Sequence, residues 1–137
     1  MFFKKKETRK ENKFLINIAA LLIHAAKIDE HFSDKEEEII KKFLLKIGTK
    51  KENLNLLIEN SKKIEEKSNH ILDFTKEIKK MDDNEKIKII ETLWRVIYSN
   101  KDEDMYESNL MRRLSGLLYI DNKTMGDVKE KIKNEYI

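Results

Sequence analysis

The sequence predicts an all-α fold, a compact bundle of about seven helices. Three observations point there. The chain has no proline and only three glycines, so little interrupts a helix. Apolar residues recur at helical spacing along most of its length. Strand signals are missing: valine occurs only at Val96 and Val128, and no stretch alternates with period two.

The first helical stripe is Phe14, Leu15, Ile18, Ala19, Leu22, Ala25 and Ala26. Ser33-Asp34-Lys35-Glu36 then reads as a capping box, in which the serine hydroxyl caps an exposed N–H and the glutamate reaches back to the serine N–H. Ile39, Ile40, Phe43, Leu44 and Ile47 follow, and Gly48 ends that helix. Thr49-Lys50-Lys51-Glu52 reads as a second box, opening a helix with Leu54, Leu57, Ile58 and Ile64. A shorter segment carries Ile71, Phe74, Ile78 and Met81. Asp82 to Glu85 open the next helix, which holds Ile87, Ile90, Leu93, Trp94, Ile97 and Tyr98. Asp104 to Glu107 open another, with Leu110, Met111, Leu114, Leu117 and Leu118, and Asp121 caps a last short helix to about residue 134. The helices holding residues 14–28 and 87–99 are the most apolar and are expected at the centre.

A weak internal repeat runs through this order. Residues 21–47 align with 92–118 at an offset of 71, each unit being an apolar helix, an acidic loop and a capped second helix. Asp29 falls opposite Asn100, Ser33 opposite Asp104 and Glu36 opposite Glu107. Such a pattern suits a pseudo-repeated αα-hairpin core.

The net charge is +3, but it is unevenly placed. Residues 4–13 hold six basic groups against Glu7 and Glu11, which leaves the rest of the chain at −1. The sequence is therefore divided into a basic, flexible tail over 1–12 and a helical domain over 13–137. A nucleic-acid partner is not expected, because that reading wants a basic face on the fold itself. Phe2, Phe3, Lys4, Lys5 and Lys6 suit a weak peripheral contact with anionic lipid, against the plainer reading of a solvated terminus. The longest uncharged stretch, Phe14 to Ala26, is too short to span a bilayer, and the N-terminus lacks a signal core. With no cysteine, there is no disulfide framework and no thiolate metal site. A cytoplasmic protein, at most touching the inner face of the membrane, is expected.

No phosphate-binding glycine loop and no nucleophile–histidine set is present, so no enzyme activity is expected. His24, His31 and His70 lack ligand spacing. Trp94 lies on an apolar face and reads as core, and Arg95 is expected to pair with Glu91 one turn earlier. The one candidate site is the pair of acidic loops: Asp29 and Glu36 in the first, Asn100, Asp102, Asp104 and Glu107 in the second. Hard carboxylate and amide oxygens at these positions suit a divalent cation such as calcium, magnesium or manganese. The interval is too short and lacks the glycine of an EF-hand. The same glutamates are equally explained as the second halves of capping boxes.

The two loops and the run Leu93-Trp94-Arg95-Val96-Ile97-Tyr98, followed by Tyr106-Glu107 and Arg112-Arg113, resemble the tellurite-resistance protein B (TerB) family from about residue 14 to 130. This domain is also found at the N-terminus of DjlA-type co-chaperones. The resemblance implies a helical module associated with metal or stress responses that binds a divalent metal through its acidic loops; a bacterial stress or envelope setting and another protein as partner are expected. The chain departs from the family pattern at Glu30 and Lys101, which stand where the family has glycine, at His31 in place of an acid, and at Asn100 in place of the leading aspartate. The expected function is a non-catalytic binding or regulatory module. The alternative is a divalent-metal-dependent hydrolase of phosphoesters.

Overall fold

The computed structural model describes the backbone of residues 2–28, 32–68, 71–99 and 105–136, and side chains from residue 13 onward within these segments. They form seven α-helices: α1 (Phe2–Lys27), α2 (Asp34–Lys46), α3 (Leu54–Lys67), α4 (Leu72–Ile78), α5 (Asp83–Tyr98), α6 (Met105–Leu117) and α7 (Asn122–Glu135). A 3₁₀ turn, Lys51–Asn53, precedes α3, and no strand occurs among the described residues. The backbone of α1 is helical from Phe2, so the helix starts within the stretch that the sequence divides off as a tail.

Local chemistry explains most helix ends. At Ser33 both halves of the capping box are present: the hydroxyl accepts from Glu36 N at 3.1 Å, and Ser33 N donates to Glu36 Oε1 at 2.9 Å. Asp82 Oδ1 accepts from Glu85 N at 2.9 Å to start α5. Asp121 Oδ1 accepts from Thr124 N at 2.6 Å to start α7, and this backbone bond holds the Asp121 carboxyl below its ordinary pKa. Gly48 ends α2 at φ +117°, a conformation that only glycine adopts without strain.

The box expected at Thr49 does not form. Thr49 N is already used by the end of α2, donating to Leu44 O at 3.0 Å. The Thr49 side chain is buried, and its hydroxyl has no hydrogen-bond partner. The chain instead enters α3 through the 3₁₀ turn, and Asn53 at the helix start makes no side-chain cap.

The helices expected at the centre are there. α1 packs against α2, α3, α4 and α5, while α5 packs against α1, α2 and α7. From Ile18 to Ala26 every residue of α1 is buried except His24, as a helix covered on nearly all sides requires. Ile89, Ile90, Leu93, Trp94, Val96, Ile97 and Tyr98 make the matching interior of α5. No helix among the described residues is long and apolar enough to cross a membrane.

Candidate functional site

Two of the six candidate ligands, Glu36 and Glu107, are placed by the structure. Asp29, Asn100, Asp102 and Asp104 lie outside the described residues, as do His31, His70 and Lys101. Glu36 stands in the first turn of α2 and Glu107 in the first turn of α6. Their residue exposures are 0% and 3%. A capping glutamate needs only to reach back one turn and can do so from the surface. Burying a carboxylate is costly unless it is hydrogen-bonded, paired or coordinated.

The burial follows from the register of the two helices. Glu36, Ile40, Phe43 and Leu44 are the buried face of α2. At the same offset of 71, Glu107, Met111, Leu114 and Ser115 are buried in α6. Each glutamate thus opens the face by which its helix meets the interior. Glu36 Oε1 accepts from Ser33 N of its own cap. Chemically this offers a hard anionic group, shielded from water, at the junction of a loop and a helix. Among the described residues, no three or more His, Cys, Asp or Glu side chains gather as a metal site.

The other singled-out residues have structural partners. Trp94 is 4% exposed and stacks on Tyr98, with ring centroids 5.7 Å apart and planes at 20°. Lys129 Nζ lies 5.3 Å from the centre of the Trp94 ring. Arg95 does not pair with Glu91. It makes a two-point contact with Glu135 of α7, while Glu91 receives Lys131 Nζ at 2.6 Å. The i, i+4 rule describes an isolated helix, and here α7 packs alongside α5 and supplies better-placed partners.

One polar cluster was missed in sequence. Glu65 on α3 accepts from Lys27 Nζ at 2.6 Å and faces His24 Nδ1 at 3.2 Å. His24 and Lys27 are both partly exposed on α1. Their common partner is 38 and 41 residues away, beyond any local spacing rule. The buried Lys86 was missed too: its Nζ donates to Leu118 O at 3.0 Å, satisfying a carbonyl at the end of α6.

A family model described as Tellurite resistance protein TerB matches residues 15–130. No curated protein and no solved structure gives a match.

Proposed function

The chain belongs to the TerB family, and on that premise we propose that it is a non-catalytic binding module of a bacterial stress-response or envelope-associated system, loaded with a divalent cation through its two acidic loops. The burial of Glu36 and Glu107 at equivalent places supports this reading. Two carboxylates withdrawn from water at the same point of a repeated unit are what an oxygen-ligated hard cation uses. Glu36 and Glu107 supply the anchored part of each ligand set. Asp29 supplies a further oxygen of the first set, and Asn100, Asp102 and Asp104 those of the second. Calcium, magnesium or manganese fits these oxygens better than copper. Another protein is the partner through which the module acts. A peripheral contact of Phe2, Phe3, Lys4, Lys5 and Lys6 with anionic lipid at the inner membrane face belongs to the same proposal, and sedimentation with liposomes, with and without residues 1–10, tests it.

The cation is tested by thermal melts of the wild type and of a Glu36→Gln/Glu107→Gln double variant, each with EDTA and with millimolar calcium. Ligand that binds only the folded state raises stability by RT ln(1 + [L]/Kd). Glutamine can still serve a cap, but it is a poorer cation ligand. A rise with calcium in the wild type that the double variant lacks is the expected result. If neither protein responds to calcium, magnesium or manganese, the loops are helix starts and nothing more. No turnover is expected from a panel of phosphoesters with any of these ions.

A further inference from the structure

Between α2 and α5 runs a groove of two confluent troughs, about 680 and 660 Å³ in volume. Phe43 and Ile47 line both, so the floor is continuous from Phe14 and Leu15 of α1 to Ile39 of α2. Ile39, Ile47, Phe14 and Leu15 are only partly covered by the rest of the fold.

The charges around this floor are unbalanced. In the trough beside α7, Glu91 is taken by Lys131 and Glu135 by Arg95. Lys42 and Lys46 of α2 and Lys88 of α5 line the same trough, are exposed, and have no acidic partner among the described residues. Of the acids lining the groove, Glu85 alone is without an ion pair; it lies in the trough beside α1, which Lys46 and Lys88 also line, so three unpaired lysines stand against one unpaired acid. Outside residues 4–13 the chain carries a net −1, so this positive strip is not a property of the surface at large.

We propose that this groove is a docking site for an acidic amphipathic helix of a partner protein. A floor of apolar side chains offers no backbone groups for an incoming strand to pair with. A helix satisfies its own N–H and C=O groups and can lay an apolar stripe into the groove. Lys42 and Lys46 are one turn apart along the α2 rim, so carboxylates spaced four residues apart on the incoming helix meet them in register. A bilayer surface is a poorer fit, since the apolar floor is recessed between the lysines. The inference rests on the chain being a protein-binding module and is independent of the cation: the calcium melts and the docking test can fail separately.

The test uses the full chain and two fluorescein-labelled peptides of about five helical turns. Both carry apolar residues at i, i+3, i+4 and i+7. One has glutamates four apart along the edge of that stripe, and the other has glutamines there. Fluorescence anisotropy is read for the wild type, for a Lys42→Ala/Lys46→Ala/Lys88→Ala variant, and for Ile47→Asp, with circular dichroism as the check on folding. The three lysines are exposed, so the triple variant should keep its fold. The acidic peptide should bind the wild type about tenfold more tightly than the neutral one, with the difference shrinking in high salt. The triple variant should lose that preference, and Ile47→Asp should weaken both peptides. Equal binding of the two peptides, no binding of either, or a preference that survives in the triple variant overturns the proposal. So does binding of phosphatidylglycerol vesicles through the three lysines when neither peptide binds, which would assign the strip to a lipid surface.

Discussion

Gly48 and Tyr119 stand 71 residues apart and close equivalent helix ends with the same pair of hydrogen bonds. Gly48 N donates to Leu45 O at 3.2 Å and Thr49 N to Leu44 O at 3.0 Å. Tyr119 N donates to Gly116 O at 3.3 Å and Ile120 N to Ser115 O at 2.9 Å. Both residues have positive φ, +117° for Gly48 and +57° for Tyr119. The repeat therefore carries through from the buried glutamate at each helix start to the left-handed cap at its end. The second copy performs with a tyrosine what the first performs with a glycine.

That asymmetry sets opposite expectations for two substitutions. A left-handed non-glycine residue costs about 1–2 kcal/mol in backbone strain. Tyr119 is 74% exposed, so little packing is lost with its ring. Tyr119→Gly should raise stability by about 0.5–1 kcal/mol in urea melts, after the entropy that glycine adds to the unfolded chain. Gly48→Ala should lower it by about 1 kcal/mol. A Cβ at Gly48 meets nothing within 4 Å, so that loss is conformational and not steric. A stabilised Gly48→Ala would contradict the cap.

Trp94 holds the outer part of the α5 core against Tyr98. Trp94→Ala should cost about 3–5 kcal/mol, and Trp94→Phe distinctly less, because a ring remains to stack. Chemical denaturation of both variants measures this. A cost near zero for alanine would move the indole to the surface.

Arg95 and Glu135 bind through two contacts, Nε to Oε1 at 3.3 Å and a terminal guanidinium nitrogen to Oε2 at 3.1 Å. Both side chains are partly exposed, which limits the pair to about 0.2–1 kcal/mol. A double-mutant cycle of Arg95→Ala with Glu135→Ala should show that coupling. The cycle of Arg95→Ala with Glu91→Ala should show almost none. Reversed results would return Arg95 to the pairing expected from helix spacing.

Glu37 joins α2 to α3 through Lys62 at 3.0 Å and has Lys41 at 3.6 Å on its own helix. The hydrogen bond from Lys62 is the main reason that its pKa lies below the ordinary carboxylate value, and the same bond raises the pKa of Lys62. A lowered carboxylate pKa adds stability that is complete above the ordinary value and disappears as pH falls through the lowered one. The raised Lys62 pKa adds stability present below its ordinary value and lost as pH rises through the raised one. Glu37→Gln should therefore melt closer to the wild type in acid than at neutral pH. A constant gap across that range would show that the ion pair does not carry the difference.

The sequence by itself determined the helices, their order and most of their ends. Ser33, Asp82, Asp121 and Gly48 act on backbone groups within a few residues, and the apolar stripes of α1 and α5 record burial at a period of 3.6. The candidate glutamates were legible because a capping box and an acidic loop are both local patterns. Thr49 misled, because a local motif cannot show that its N–H already ends the preceding helix. Only the tertiary structure decided that Glu36 and Glu107 are buried, that Arg95 turns to Glu135, and that Glu65 collects His24 and Lys27. The same holds for three lysines from two helices standing unbalanced around one apolar floor. Those outcomes depend on which helix faces lie against each other, and residues 38 to 41 positions apart meet there by packing and not by spacing.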